Sequence, residues 1–400
     1  MTSQGEEMRN QCPACGASQM NIFYSLERIP VHSVRLLRSR EEALNLQTGK
    51  MDLAHCASCG FICNLSYDPD LQDYSAEYES TQAYSATFNR FAHRLAQQLI
   101  DRYDLHDKNI IEIGCGQGEF ISLLCELGQN RGIGFDPAYD PARSAVRNNG
   151  RVTIIPDYYS EEYAGYKADF ICCKMTLEHI RDVADFVGTV RRAVGSQKDT
   201  TVFFQVPDAA RVLAETAFWD IYYEHCSYFT LGSLARLFRS QRFEVMNLWR
   251  DYGDQYIMID ARPADEVTPP LLGQEDDLLE TQERVLAFSQ AIPIELARWK
   301  KIVQDAHQGG QKVVLWGSGS KGVAFLTTLN LCDEIEYTVD INPNKHDTYM
   351  AGTGQRVVSP DFLKSYQPDL VILMNPLYQE EISGMLSDRG ISSRIISTGE

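Results

Sequence analysis

Between Thr87 and Tyr103 the chain repeats apolar side chains at three- and four-residue steps, with Phe88, Phe91, Leu95, Leu99 and Tyr103 on one stripe. That is the helix period, so "TFNRFAHRLAQQLIDRY" is expected to form an amphipathic helix with one face against a core. Beyond it the pattern changes. Short apolar runs, "NIIEI" (109–113), "GIGF" (132–135), "VTII" (152–155), "ADFICC" (168–173) and "TVFFQV" (201–206), alternate with polar or helix-like segments. This alternation predicts a mostly parallel sheet covered by helices on both faces. "FEVMNLWRDYGDQYIMIDA" differs: two strand-like runs flank "DYGD", which predicts a closing antiparallel hairpin.

Proline, glycine and acidic residues fill "RPADEVTPPLLGQEDDLLE" (262–280) and mark a boundary. A helical stretch follows to His307 and is expected to break near Pro293. From "KVVLWGSGSKG" a second strand, glycine turn and helix begin, with "YTVDINP" and "PDLVILMNP" as further strands. The expected organisation is a Cys-rich module over 1–72, an α/β domain over 73–265, a helical linker over 266–308 and a smaller Rossmann-like unit over 309–400.

The formal net charge of -18 argues against a nucleic-acid partner, whose phosphates need a basic surface. It leaves room for a small anionic substrate held by a helix N-terminus or one local cation. No apolar run is long enough to cross a membrane, and "MTSQGEEMRN" has no secretory apolar stretch, so the expected location is the cytoplasm. In a reducing compartment the eleven cysteines are not a disulfide framework, and their spacing decides their meaning.

"CPACG" (12–16) and "HCASCG" (55–60) supply two Cys-x2-Cys pairs, each followed by a glycine that permits a tight knuckle. Cys12, Cys15, Cys56 and Cys59 are thus the expected ligands of one tetrahedral zinc ion. His55 and Cys63 stand close enough in sequence to substitute. With four protein ligands the site has no open position, so its expected role is structural.

"IIEIGCGQGEF" puts Glu112, Gly114, Gly116 and Gly118 at the end of a strand, where glycines let a ligand approach backbone at a helix start. Asp136 closes the next strand and can hold ribose hydroxyls. Asp157 follows the third and can meet an adenine amino group. "LEHI" follows the fourth. The set resembles the class I S-adenosylmethionine methyltransferases, and its E-x-G-C-G-x-G form differs from the G-x-G-x-x-G of NAD sites.

With the four-cysteine module, "YYEHCSYF" (222–229), "GSGSKG" (317–322), "VDINPNKHDTYMAGTG" and "SPDFL…QPDLVIL", nearly the whole chain resembles one family. These are the three-domain sugar C-methyltransferases that act on nucleotide-linked 4-keto-deoxysugars in antibiotic biosynthesis. The resemblance implies three parts: a zinc-binding N-terminal domain, a class I methyltransferase sheet and a C-terminal Rossmann-like domain that helps bind a nucleotide-sugar. It also implies that Tyr222, Glu224, His225 and His179 face the substrate beside the methyl donor. In such chemistry a base removes a proton beside a ketone, and hydrogen-bond donors hold the enolate. His225 is the expected base, with Glu224 orienting it or itself the base; Tyr222 and His179 would hold the oxyanion or a hydroxyl.

Two segments near the expected substrate pocket depart from the family pattern. "DYSAEYESTQAYSATF" (73–88) offers Tyr74, Tyr78 and Tyr84 in place of a Tyr–His–Ser–Ser-like stretch, and "NPLYQEEI" replaces a tryptophan-containing one. The C-terminal glycines Gly317, Gly319 and Gly322, with Lys321 and Asp340, read as a diphosphate cradle, a dinucleotide site or a plain turn. Two further readings stay open: O-methylation of a sugar or other natural-product intermediate, and a non-catalytic binding module for S-adenosylmethionine or a nucleotide-sugar.

Overall fold

The computed structural model describes residues 11–72, 77–144 and 150–399. Tyr74 and the first ten residues lie outside this range. Near the N-terminus β1 (Met20–Pro30) and β2 (Thr48–Cys56) pair antiparallel, and β3 (Ile62–Asn64) extends the sheet from β2. Helix α1 (Ala86–Tyr103) follows, capped by the Ser85 hydroxyl, which accepts from the Phe88 amide. Its buried residues are Phe91, Leu95, Ala96, Leu99 and Ile100, the inner part of the expected stripe.

The chain then builds a sheet from β4 (Asn109–Ile113), β5 (Arg131–Phe135), β6 (Val152–Ile155), β7 (Phe170–Lys174) and β8 (Thr201–Pro207), all parallel. Helix α2 (Glu119–Gly128) packs beside β4 and β5. A two-residue strand, β9 (Ser227–Tyr228), leaves this unit and joins β3 of the N-terminal sheet. The hairpin β10 (Phe243–Asp251) and β11 (Tyr256–Pro263) returns antiparallel, giving the order β10-β11-β8-β7-β4-β5-β6. Because β4 lies between β7 and β5, the chain reverses direction there, and the crevice at the strand ends is where α/β sheets bind ligands.

The last unit is a parallel sheet of β12 (Val313–Trp316), β13 (Tyr337–Val339), β14 (Arg356–Val358), β15 (Leu370–Leu373) and β16 (Arg394–Ser397), ordered β14-β13-β12-β15-β16. Between the two α/β sheets runs α3, unbroken from Leu278 to Gln308, so the expected break at Pro293 does not occur. A proline inside a helix costs about 3 kcal/mol. Burial of Phe288 and Ile292 before it, and Trp299 and Val303 after it, offsets that cost by fixing both halves in one core. Phe288 meets Tyr24 edge-on at 5.5 Å, and Trp299 meets Trp219 and Phe325 at 6.4 and 5.3 Å. Side chains from the N-terminal sheet, the middle unit and the C-terminal unit therefore share a core. Among the described residues no helix is long and apolar enough to cross a membrane.

Candidate active site

A cavity of about 870 Å³ opens at the carboxyl ends of the middle sheet and is closed on the far side by the C-terminal unit. Glu112, Gly114, Gly116, Asp136 and Asp157 line one half of it. Gly114 and Gly116 have φ of +68° and +56°, where side-chain-bearing residues are strained. A Cβ on Gly114 would stand 2.0 Å from Oγ1 of Thr176, whereas one on Gly116 would meet nothing within 4 Å. The Asp136 carboxylate accepts from the amides of Gly116 and Ala138, both at 2.8 Å, which fixes the glycine turn against the end of β5. Gly118 is not at the cavity wall; with φ +85° it forms the N-terminal boundary of α2.

Glu112 is buried, and its Oε2 has no hydrogen-bond partner. Burial pushes its carboxyl up to about 8, with Lys174 opposing the rise. Lys174, which sequence reasoning passed over, also lines the cavity and lies 3.5 Å over the Phe120 ring. An open, glycine-walled turn, an acidic residue at the next strand end and a buried orphan carboxyl suit a nucleoside with a charged tail. Asp157 is exposed and accepts from the Tyr163 hydroxyl at 2.5 Å.

The other half is where "LEHI" and "YYEHCSYF" meet. Glu178, His179, Tyr222 and His225 all line it. The Tyr222 hydroxyl is hydrogen-bonded to Nε2 of His225 at 2.8 Å, and the rings of His179 and His225 stand edge to face at 4.9 Å. Burial holds both imidazoles below their ordinary range, His179 at about 4, so both are neutral at physiological pH. Neutral imidazoles beside a phenol can accept a proton and donate to an oxyanion.

Glu224 departs from expectation. It is fully buried, is not among the lining residues and does not orient His225. Its carboxylate instead accepts from the amide and hydroxyl of Ser33, at 2.8 and 2.5 Å. Ser33 Oγ lies 2.7 Å from Ser320 Oγ at the C-terminal glycine turn. The carboxyl that does approach His225 is Glu178, whose Oε1 is 4.0 Å from Nε2. Its only sequence signal was its place in "LEHI".

Tyr78 also lines the cavity, as does Tyr84. On the far wall, Lys321 is already committed: its ammonium lies 2.9 Å from Asp220 and donates to Oε1 of Gln255 at 3.2 Å. Asp220 is also held by Arg211 at 2.5 Å. Burial alone would raise the Asp220 carboxyl, but Lys321 and Arg211 more than offset it and hold it low. Asp340 accepts from the amide and hydroxyl of Ser318, at 3.1 and 2.6 Å, which fixes the C-terminal glycine turn as Asp136 fixes the first.

Away from the cavity, the sulfurs of Cys12, Cys15, Cys56 and Cys59 converge. Cys12 and Cys59 are 3.6 Å apart and Cys15 and Cys56 3.7 Å. Four thiolates about 2.3 Å from a tetrahedral zinc ion would be about 3.8 Å apart. Each knuckle closes with a glycine amide, Gly16 to Cys12 O and Gly60 to Cys56 O, both at 2.8 Å. His55 and Cys63 lie outside this sulfur cluster.

Residues 88–248 match the methyltransferase domain family, and residues 258–391 match the C-methyltransferase C-terminal domain family. Over 394 residues the chain is 25% identical to C-methyltransferase NovU of Streptomyces niveus, covering 93% of this chain and 91% of that protein. A ribosomal protein L11 methyltransferase of Pectobacterium carotovorum is 29% identical over 105 residues, 25% of this chain and 36% of that one. Among solved structures, the 1,6-didemethyltoxoflavin-N1-methyltransferase of Burkholderia thailandensis is 18% identical, covering 44% of this chain and 79% of that one with a TM-score of 0.35.

Proposed function

The chain is a methyltransferase of the multidomain C-methyltransferase kind, and on that premise we propose that it methylates a carbon beside the ketone of a nucleotide-linked 4-keto-deoxysugar. The observation that carries the reading is the meeting of Tyr222, His225 and His179 in the same cavity as the glycine turn of Gly114 and Gly116. Glu112, Gly114, Gly116 and Asp136 would hold S-adenosylmethionine, with Asp136 at the ribose and Asp157 at the base. When bound, that donor supplies an electrophilic methyl group.

The chain's own residues do the rest. His225 takes the proton beside the ketone, with its ring oriented by the Tyr222 hydroxyl. Tyr222 and His179 hold the oxygen that gains charge. Donors fixed in place act without the reorganisation that water would need. The glycine turn of Gly317 and Gly319 and the start of α4 (Ser320–Leu329) line the same cavity and would receive the nucleotide's diphosphate. The four-cysteine cluster would hold a structural zinc ion, since no ligand position is left for substrate.

The test is a thermal-shift panel in the presence of S-adenosylhomocysteine, with dTDP, UDP, GDP, CDP and their 4-keto-sugar conjugates. A ligand that binds only the native state raises Tm. A rise with one nucleotide series names the acceptor. No rise with any of them would reject the nucleotide-sugar acceptor. Solvent deuterium entering the carbon beside the ketone, with S-adenosylhomocysteine bound, would support carbon methylation; its absence with a bound ketone would favour oxygen as the acceptor.

A further inference from the structure

We infer that Glu178 is the acid–base partner of His225, the two side chains holding between them the proton taken from the acceptor. The inference rests on the methyl-transfer reading above and adds a residue to it. Glu178 is 1% exposed and lies on the turn between β7 and the next helix, at the cavity wall. Neither of its carboxyl oxygens has a hydrogen-bond partner among the described residues. A buried charge without a partner costs several kcal/mol, so such a carboxyl is kept where a proton or an occupant compensates it.

The groups around it do not supply a fixed counter-charge. Tyr78, Tyr222, Tyr256, Cys173, Cys226 and His179 are its titratable neighbours. Lys321 acts on His225 but is itself held by Asp220. What can become positive beside Glu178 is an imidazole, and His225 Nε2 is the ring nitrogen that comes within 4.0 Å.

The step balances without a further reactant. The C–H bond beside the ketone breaks, and its electron pair forms the carbon–carbon double bond of the enolate. The carbonyl pair moves onto oxygen. The proton goes to the His225 ring, and the imidazolium faces the Glu178 carboxylate. Burial pushes Glu178 up to about 8 and His225 down, so the carboxyl carries the proton at neutral pH. The pair acts as a base only after losing that proton, so the rate rises with pH.

The test uses the full chain with S-adenosylhomocysteine bound, the variants Glu178→Gln, Glu178→Asp and His225→Asn, and dTDP- and UDP-4-keto-6-deoxyglucose in deuterated water. Wild type should exchange the α-proton with a rate that rises toward alkaline pH. Glu178→Gln should lose that pH limb and at least about 100-fold of the rate. Glu178→Asp should recover part of it, and S-adenosylhomocysteine affinity should not change. Wild-type rate and pH profile in Glu178→Gln would overturn the inference, as would an equal loss of cofactor affinity. Should wild type exchange neither ketone, the carbon-methylation reading fails on its own, and ring-nitrogen NMR decides the pair. The His225 ring nitrogens should then report a titration step near pH 8 in wild type, as Glu178 ionises, that is absent from Glu178→Gln; identical titrations would overturn it. A Glu178-dependent cobalt(II) absorption band would also overturn it, by making Glu178, His179 and His225 metal ligands.

Discussion

Ser33 and Glu224, 191 positions apart in sequence, are joined by two hydrogen bonds in a region closed to water. One belongs to the N-terminal module and the other to the turn that carries His225. Replacing Ser33 by alanine removes one of the two donors and leaves a buried carboxylate half-satisfied. It should cost about 1–3 kcal/mol in chemical denaturation and lower kcat more than substrate affinity. Threonine at 33 should restore most of both.

Gly114→Ala should be far more damaging than Gly116→Ala. Both glycines are left-handed, but only at 114 does a methyl group collide, with Thr176. Calorimetric titration with S-adenosylhomocysteine should show at least a tenfold loss of affinity for Gly114→Ala. Gly116→Ala should cost about 1–2 kcal/mol of backbone strain in unfolding, without the internal collision that Gly114→Ala adds.

Metal analysis of the purified chain should find one zinc per molecule. Cys59→Ser should abolish it and lower Tm by several degrees, because a structural zinc contributes folding energy directly. Activity should fall with it, since β3, which leads from the second knuckle, pairs with β9 next to His225.

Stability should fall as pH rises, through Glu178. Its folded-state carboxyl sits near 8, above its ordinary 4.5, so the folded chain binds the proton more tightly than the unfolded chain. The contribution is complete below about 4.5 and is lost as pH climbs through 8. Glu178→Gln carries no such loss. Its Tm relative to wild type should therefore increase between pH 5 and pH 9, by the equivalent of roughly 2–4 kcal/mol. Glu112 and Glu224 are displaced in the same direction, so the wild-type decline persists in part in the variant.

Much of this was legible in the chain because it is local. The strand runs from "NIIEI" to "TVFFQV", the hairpin around "DYGD" and the stripe of α1 all depend on neighbours a few residues away. The two cysteine knuckles were legible for the same reason. The place of Glu224 was not legible, because its partner, Ser33, comes from another module and has no signature of its own. Glu178 was hidden because an acidic residue in a turn looks the same whether water or a cavity surrounds it. The continuity of α3 through Pro293 was decided by tertiary contacts of Phe288, Ile292 and Trp299, which override local preference. A strand of two residues, β9, leaves no periodicity to read.

That short strand has a consequence for assembly order. The segment bearing Tyr222 and His225 ends by completing a sheet begun by residues 20–64. During synthesis the N-terminal ribbon emerges early with one edge unoccupied, and it must wait for more than half the chain before Ser227 and Tyr228 arrive to fill it. The parallel strands β4 to β8 can pair without this event, but the turn that carries His225 cannot take its final shape. On the proposed function, a nascent chain would thus form the crevice around Gly114 and Gly116 before the turn that carries His225 is fixed, and a fragment lacking the first 64 residues would be expected to keep more donor binding than turnover.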